Sequence, residues 1–351
     1  MTPSQFAPQF LTSPQSPTVP QWRGPLFVAG TGRSGTSLLY VLLNKHPQIR
    51  LMYEGDLFLL RPLFWIPKPG SRWLARWEFW NGALKRHGLD TERIPLTLTH
   101  LPAAMEKAYQ EYARQKGALI WGDKSIASHH SLPRLVRDFP DARFIFLWRD
   151  LTAICRSVIR ATQDEPSFPG PGMMRTIGRY KALKAQCDHL VSRGVPVHQI
   201  HYETLIKDPA GVMRDVCSFL GIPFVPSMTS LEGADRSAVH DGRHQALLNS
   251  DHIVSSLERP EVLSVDLKRK IERYKSLCRE ESGGEWPIPS TPGISDSGKP
   301  SLRERLVDRA LYRCLRTYDW MVVLIFCFAP LWLLKAYRAH KRRWEHSGSG
   351  S

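Results

Sequence analysis

The chain has 351 residues, long enough for one large α/β domain and an additional segment. Its hydrophobic fraction of 42% and charged fraction of 23% are those of a globular protein, and its net charge of +15 favours an anionic partner: a nucleotide, a phosphate, an anionic lipid or a nucleic acid. The six cysteines form no Cys-x-x-Cys pair and no metal-binding spacing, which excludes a cysteine-based metal site. We expect free thiols, mostly buried, in a reducing compartment.

Composition also divides the chain into segments. Residues 1–21 are polar and rich in Pro, Gln and Ser, without the basic and apolar regions of a signal peptide, so we expect a disordered N-terminal segment. Residues 283–301 have the Gly/Ser/Pro composition of a linker. Residues 347–351, Ser-Gly-Ser-Gly-Ser, resemble a linker added in cloning. The main domain is therefore predicted over 22–282, with a separate C-terminal segment over 302–346.

The chain is organised around residues 25–46, where a strand pattern is followed by a glycine-rich loop and then by a helix pattern. The apolar run over 26–29 predicts a buried strand, and the apolar periodicity over 38–44 predicts a helix. The residues between them are small and polar, so successive backbone N–H groups can point into one concavity at the positive end of the helix dipole. This pattern predicts an anion site formed by Thr31, Gly32, Arg33, Ser34, Gly35, Thr36 and Ser37.

The loop differs at one position from a nucleoside triphosphate site. Gly30 and Gly35 have the spacing of a Walker A loop, but Thr36 stands where that loop has the lysine that meets the β- and γ-phosphates. A cation comes earlier instead, at Arg33. The sequence therefore argues against an ATPase. A glycine-rich turn without a ligand is the other interpretation, and the density of anion donors argues against it.

Further strands are predicted, with basic residues where two of them end. The apolar run over 117–124 ends in Lys124, and a central strand over 143–148 is followed directly by Arg149. The carboxyl ends of parallel strands are where α/β proteins bind their ligands. Strands that alternate with helices predict an α/β fold with a P-loop-type central parallel sheet flanked by helices. A solvated lysine and a surface Arg–Asp pair are the alternative interpretations.

The segment 30–39, GTGRSGTSLL, resembles the 5′-phosphosulfate loop of sulfotransferases that use 3′-phosphoadenosine 5′-phosphosulfate (PAPS). The chain is similar to the carbohydrate and tyrosylprotein members of that family over roughly residues 22–282. One departure is Leu151, which replaces the family's proline after Arg149-Asp150 and affects only the helix start. Four further elements carry the resemblance: Glu54 after His46-Pro47, the strand ending in Lys124, Arg149 with Ser157 on the following helix, and the segment 202–209.

The resemblance implies a role for each residue at the reacting end of the donor. Arg33 and Thr36 would grip the 5′-phosphosulfate. Glu54 would remove the acceptor's proton, because transfer to a hydroxyl needs a base; a surface glutamate in a turn is the alternative. Lys124 would stabilise charge on the transferring group and on the leaving phosphate.

The resemblance also implies how the rest of the donor is held. Arg149 and Ser157 would bind the 3′-phosphate, for which the arginine fork is well suited. Tyr202 would lie near the adenine, and Glu203 would be structural. The product would be adenosine 3′,5′-bisphosphate, and no metal would be required. A further donor-site loop over 233–245 would act through Arg236 or Arg243.

Two helical segments have aromatic faces. Trp73, Trp77 and Trp80 share one face of a predicted helix within the basic segment 58–80, which predicts either a lid or acceptor groove at a membrane interface or an ordinary buried face. The two interpretations remain open. The second helix, within 90–116, has these residues on one side: Met105, Ala108, Tyr109 and Tyr112.

The C-terminal segment has the pattern of a membrane anchor. Residues 302–318 predict a basic amphipathic helix, and residues 320–334 carry no charge. This uncharged run is shorter than the roughly 17–25 residues of a spanning helix, and it contains Pro330. Because basic residues flank it on both sides and favour the cytoplasmic side, we expect a monotopic or re-entrant anchor on the cytoplasmic face. A short tail anchor and a helix buried in a homodimer are the alternatives.

The sequence thus predicts an enzyme that moves a sulfuryl group from PAPS to a hydroxyl, with an amine as the second choice. A membrane lipid, glycolipid or lipid-linked glycan is the expected acceptor, because the C-terminal segment and the aromatic, basic segment 58–80 favour an anionic membrane surface. A P-loop kinase-like phosphotransferase is the first alternative, and Thr36 argues against it. A non-catalytic membrane protein that binds anionic ligands is the second. The ordered donor motifs argue against that reading and against a nucleic-acid partner.

Overall fold

A computed structural model gives the fold of the chain. It describes residues 22–58, 60, 71–97, 100–125, 132–164, 173–239, 245–253, 269 and 272. The C-terminal segment 302–346, the linker 283–301 and the N-terminal segment 1–21 lie outside these residues. The sequence predictions for them are therefore not tested by the structure.

The described residues contain five parallel strands in the order β2-β3-β1-β4-β5. The strands are β1 Leu26–Gly30, β2 Ile49–Tyr53, β3 Ile120–Ser125, β4 Arg143–Trp148 and β5 Val197–His201. The predicted α/β class with a central parallel sheet is confirmed. Strand β2, at one edge of the sheet, was not predicted from the sequence.

The helices connect the strands and cover the sheet. The first four are α1 Thr36–Asn44, α2 Ser71–Arg86, α3 Leu101–Gln115 and α4 Leu132–Asp138. The others are α5 Leu151–Asp164, α6 Met173–Ser192, α7 Tyr202–Lys207, α8 Pro209–Leu220 and α9 Gln245–Leu248. Helix α1 begins at Thr36, two residues before its apolar pattern, so the polar loop runs directly into the helix.

The central strands divide their side chains between two cores. In β1, Phe27 and Ala29 pack into one core with α3 and α5, while Leu26 and Val28 pack into the other with α1 and α8. Strand side chains alternate between faces, and both faces of a parallel sheet are covered by helices, so β1 is apolar at every position. Three layers, helix–sheet–helix, leave the carboxyl edge of the sheet open for a site.

The predicted aromatic face of α2 packs into one of these cores. Trp80 is fully buried and donates its indole N–H to the carbonyl of Ile94 at 3.0 Å, and Trp77 packs against the same core. Trp80 therefore fits the ordinary buried face, while Trp77 is only partly buried. The side chain of Trp73 lies outside the described residues.

Candidate active site

The predicted site residues come from different strands and meet at the carboxyl edge of the sheet. β1 ends at Gly30 and leads into the loop, and Arg149 directly follows β4. Lys124 is the next-to-last residue of β3, and its strand position pairs with Val28 of β1 and Tyr53 of β2. β1 lies between β3 and β4, so the loop sits between the lysine and the arginine.

The loop has an unusual backbone, held by its own residues. Arg33 and Gly35 have φ angles of 69° and 99°, in the left-handed region. Ser34 donates its backbone N–H and its hydroxyl to the carbonyl of Thr31, at 3.1 and 2.7 Å. A Cβ on Gly35 would overlap the ring of Tyr202, so this glycine is required for the ring to pack against the loop.

Two features of the loop fit an anionic ligand. The hydroxyl oxygen of Thr31 is buried without a hydrogen-bond partner, an arrangement that buried polar groups rarely adopt unless a ligand or water completes it. The N-terminus of α1 has Gly35 as its N-cap and therefore no side-chain cap, which leaves its first N–H groups to a ligand. Gly32 faces open space.

The residues predicted to hold the 3′-phosphate contact the loop and one another. Arg149 donates to the carbonyl of Arg33 at 2.9 Å and lies over the ring of Tyr202 at 4.3 Å. Arg33 donates its Nε–H to the hydroxyl of Ser157 at 2.9 Å. Burial lowers the pKa of Arg149, from a value high enough that the guanidinium stays charged. These four residues form one cationic cluster behind the loop.

Glu203 ties the neighbouring elements together. Its carboxylate accepts the backbone N–H of Asp150 at 3.0 Å, and Asp150 in turn accepts the N–H of Ala153 at 2.8 Å. The second bond caps the first turn of α5, which presents Ser157. Glu203 thus has structural contacts that fix both Arg149 and the helix that follows it.

Glu54 and Lys124 form an ion pair on the other side of the loop. The Lys124 ammonium lies 2.7 Å from the Glu54 carboxylate and 4.2 Å from the centre of the Tyr53 ring. Lys124 is 1% exposed and Glu54 is 22% exposed. Burial lowers the pKa of Lys124, but the attractions of the Glu54 carboxylate, Tyr53 and Asp56 together outweigh it, so the pKa lies above its usual value. Lys124 is therefore a buried ammonium and not a solvated one.

A pair of carboxyls lies next to this ion pair, one buried (Asp123) and one partly buried (Asp56), and sequence reasoning missed it. Asp123 accepts the backbone N–H groups of Gly55 and Asp56 and the hydroxyl of Tyr109. Asp56 accepts the hydroxyl of Ser125. Burial raises the pKa of both carboxyls, to about 7 for Asp123 and about 6 for Asp56. The pattern that could have indicated the pair is a charged residue, Asp123, inside an otherwise apolar strand.

The backbone is strained where the predicted catalytic residues lie. In the part of the chain that the structure describes, three non-glycine residues have positive φ: Arg33, Glu54 and Asp56, at 69°, 46° and 52°. Such residues cluster at functional sites because surrounding structure must hold them there. Two of the three are residues predicted to be catalytic from the sequence.

The remaining loop residues point into the protein. Ser37 shares a 2.8 Å hydrogen bond between its hydroxyl and that of Tyr53, and Thr36 is buried with its methyl group against Gly30. The Ser37 hydroxyl is therefore occupied by Tyr53, and the backbone N–H groups of both residues lie at the start of α1, where an anion could bind.

Arg236, a candidate for the further donor-site loop, has structural contacts instead. Arg236 donates to the carbonyls of Leu231 and Leu248 and to Asp251, so it holds a loop together. Arg243 lies outside the described residues. Within those residues there is no group of His, Cys, Asp and Glu side chains that could hold a metal.

Two sequence expectations concern cysteines and membrane helices. The cysteines that the structure describes, at 155, 187 and 217, are free and buried, as expected. No helix in the described ranges is long and apolar enough to cross a membrane.

Comparison with known proteins agrees with the motifs. A family model described as "Sulfotransferase family" matches residues 25–226, more than half of the chain. The chain belongs to the sulfotransferase family. The match includes the loop, the Glu54–Lys124 pair and the Arg149 cluster.

Two animal protein-tyrosine sulfotransferases are similar in sequence to this chain. Protein-tyrosine sulfotransferase 1 of Danio rerio is 27% identical over 205 residues, which cover 57% of this chain and 53% of the relative. Protein-tyrosine sulfotransferase A of Caenorhabditis elegans is 24% identical over 238 residues, 67% of this chain and 56% of the relative. The chain thus spans about half the length of the curated relatives it matches.

Among solved structures, the sulfotransferase domain of the Synechococcus PCC 7002 olefin synthase has 22% identity and a TM-score of 0.49. The match covers 76% of this chain and 98% of that domain.

Proposed function

We propose that this sulfotransferase-family chain moves a sulfuryl group from PAPS to an acceptor hydroxyl. The observation that carries the proposal is the arrangement at the carboxyl edge of the sheet. An anion loop lies between a cationic cluster, Arg33 and Arg149, and a carboxylate–ammonium pair, Glu54 and Lys124. The cluster suits a phosphate, and the pair suits proton removal and charge stabilisation.

The chain's own residues support PAPS as the donor. The partnerless hydroxyl of Thr31 and the N-terminus of α1 offer donors for the 5′-phosphosulfate. Arg149 and Ser157 are proposed to bind the 3′-phosphate, which ATP lacks, so they would discriminate between the two nucleotides. Arg33 bridges these two regions, because it belongs to the loop and contacts Ser157.

The proposed reaction is a single displacement at sulfur. The acceptor oxygen forms the new S–O bond while its proton passes to the carboxylate of Glu54. The bond from sulfur to the bridging oxygen breaks, and its electron pair leaves with adenosine 3′,5′-bisphosphate. Lys124 offsets the charge that accumulates on the leaving phosphate. The 2.7 Å contact between Glu54 and Lys124 supports roles for both residues at one reaction centre.

A tyrosine hydroxyl of a polypeptide is the first acceptor class that we propose to test. The curated relatives are named protein-tyrosine sulfotransferases, which supports this class. The case for a lipid, glycolipid or lipid-linked glycan came from the aromatic segment and the C-terminal segment. Trp80 packs into the core and Trp77 against it, while the aromatic and basic side chains over 61–76 lie outside the described residues. Tyrosine peptides and membrane extracts, offered to the same preparation with labelled PAPS, would distinguish the two acceptor classes.

We further propose that residues 302–346 attach the enzyme to the cytoplasmic face of a membrane. The basic amphipathic pattern followed by a short uncharged run supports this location. Cell fractionation compares the full chain with a chain that ends at residue 301. Recovery of the full chain in the soluble fraction without detergent would contradict the proposal.

Calorimetric titration with adenosine 3′,5′-bisphosphate tests the donor site, with magnesium-ATP as the comparison. We expect the protein to bind the bisphosphate and not ATP, and we expect Arg149→Ala to abolish binding. Glu54→Ala should bind the bisphosphate normally and lack turnover. Preference for ATP would favour the kinase-like alternative, and substantial turnover by Glu54→Ala would remove that residue from the role of base.

A further inference from the structure

The turn that carries Glu54 has a backbone that needs external support. It follows β2 and contains two left-handed residues, Glu54 and Asp56, on either side of Gly55. Non-glycine residues keep such conformations only where neighbouring groups over-determine them. The side-chain direction of Glu54 depends on this turn, so whatever holds the turn also sets where its carboxylate points.

One carboxylate holds the turn at two successive backbone positions. Asp123 accepts the N–H of Gly55 at 3.2 Å with one oxygen and the N–H of Asp56 at 2.9 Å with the other. The N–H of Glu54 is bound by the carbonyl of Lys124 at 2.8 Å. All three N–H groups of the turn therefore bind two consecutive residues of β3.

The carboxylate of Asp123 is itself held by Tyr109 of α3. Its hydroxyl donates to Asp123 at 3.0 Å, and both side chains are almost completely buried, so water does not compete for these bonds. A Cβ on Gly55 would overlap the sulfur of Met52 and would lie 3.4 Å from the Asp123 carboxylate, so the turn packs closely against both side chains.

Asp123 and Lys124 are neighbours on β3 and bind different parts of the turn. Successive side chains of a strand point to opposite faces, so Asp123 and Lys124 approach the turn from different sides. Asp123 binds the backbone of the turn, while Lys124 binds the carboxylate of Glu54. The two contacts together define both the path of the turn and the position of its reactive group.

We propose that Asp123, fixed by Tyr109, is a positioning residue that clamps the 54–56 turn so that the carboxylate of Glu54 meets the ammonium of Lys124. The use of this clamp in catalysis rests on the proposed function, in which Glu54 is the base. The clamp itself is a property of the fold and has readouts that need no acceptor.

Tyr109→Phe is the sharper test, because it removes one donor to Asp123 and leaves every charge in place. Tyr112→Phe, on the same helix and also buried, is its matched control. Asp123→Asn replaces one of the two acceptor oxygens by an amide donor, so the two backbone N–H groups can no longer both be bound, and Asp188→Asn, at an exposed aspartate of α6, is its control. If Asp123→Asn does not fold, Tyr109→Phe decides the question alone.

Two measurements on each variant need no turnover. Hydrogen exchange at the amides of Gly55 and Asp56 should accelerate in Tyr109→Phe and Asp123→Asn and not in the controls. The pKa of Lys124, read from the NMR shift of its ε-carbon, should fall in both variants. The reason is that the Glu54 carboxylate moves away from Lys124 when the turn loosens. Burial, which lowers this pKa, then outweighs the effects of Tyr53 and Asp56, which raise it.

Measurements of turnover test whether the clamp formed by Asp123 contributes to catalysis. A misplaced base lowers the rate by on the order of 10²-fold, so kcat should fall toward that extent in Asp123→Asn and by less in Tyr109→Phe. Affinity for adenosine 3′,5′-bisphosphate should not change. Unchanged exchange and an unchanged pKa of Lys124 would overturn the clamp. Loosened exchange with normal kcat would overturn its positioning role. If wild-type protein transfers no sulfuryl group, the proposed function fails, and the exchange and pKa measurements still decide whether Asp123 holds Glu54 against Lys124.

Discussion

Removing Glu54 should destabilise the fold more than removing Lys124, although each change breaks the same ion pair. The reason is the difference in burial: Lys124 is 1% exposed and Glu54 is 22% exposed. Glu54→Gln leaves a buried ammonium without its counter-charge, and such a change costs about 3–5 kcal/mol of unfolding free energy. Lys124→Met leaves a carboxylate that water still reaches and removes a contact with the Tyr53 ring. We expect its cost to be about 1–2 kcal/mol.

Urea unfolding of the two single variants and of the double variant tests this reasoning at neutral pH. The double variant has no unpaired buried charge, so it should be more stable than Glu54→Gln alone. A larger loss in Lys124→Met than in Glu54→Gln would refute the argument. So would a double variant whose loss equals the sum of the single losses, because additivity means that the pair is not coupled.

The pH dependence of stability gives an independent test of the same ion pair. In the native protein the pKa of Lys124 is raised, so its contribution to stability is present below the unfolded value and is lost as pH rises through the folded one. In Glu54→Gln burial acts without the carboxylate and lowers the folded pKa below the unfolded one. The stability of that variant should then increase with pH on the alkaline side, the opposite sign to the native protein.

Two further predictions concern the carboxyl pair and the loop. Burial raises the pKa of Asp56 to about 6 and of Asp123 to about 7, so their contribution to the unfolding free energy should decrease as pH rises from about 4 to 7. Glu54, Lys124 and Arg86 are the other charges that act on Asp56. In urea titrations across that range, the unfolding free energy of the native protein should fall relative to that of Asp56→Asn. Gly35→Ala should cost at least about 1–2 kcal/mol in urea and weaken bisphosphate binding, because φ is 99° and the added methyl would displace Tyr202. Unchanged affinity in that variant would show that the loop does not depend on the ring.

The parts of the fold that the sequence predicted are those fixed by local pattern. The apolar runs of β1 and β4, the glycine loop and the start of α1 are each determined by residues close in the chain. Strand β2 was missed because its sequence, Ile-Arg-Leu-Met-Tyr, is a short run that a charged residue interrupts. Its pairing with β3 depends on residues far along the chain, which periodicity does not report.

The candidate site was predicted to a similar extent and for the same reason. Motif resemblance selected Glu54, Lys124, Arg149 and Ser157, which the fold brings to one edge of the sheet. It gave no indication of Asp123 as a clamp, because Asp123 and the N–H groups it binds are 67 and 68 residues apart in the chain.

The proposed donor side and the proposed acceptor side of the site are held in the same way. On the donor side, the left-handed Arg33 is held by its carbonyl, which binds Arg149, and by its side chain, which binds Ser157. On the acceptor side, the left-handed Glu54 is held by the carbonyl and the ammonium of Lys124. In both cases a strained backbone is fixed by a basic residue at the carboxyl end of a neighbouring strand.

This arrangement makes the positions of the charged groups a property of the folded chain before any ligand binds. Groups that are already oriented toward developing charge need not reorganise during the reaction, and this is where electrostatic catalysis gains most. The strain at Arg33 and Glu54, of the order of 1–3 kcal/mol for each residue, is then a measurable consequence of function. Replacing Glu54 by Gly should relieve that strain at the expense of the ion pair. Its stability should therefore exceed that of Glu54→Ala, which breaks the same pair and keeps the left-handed strain.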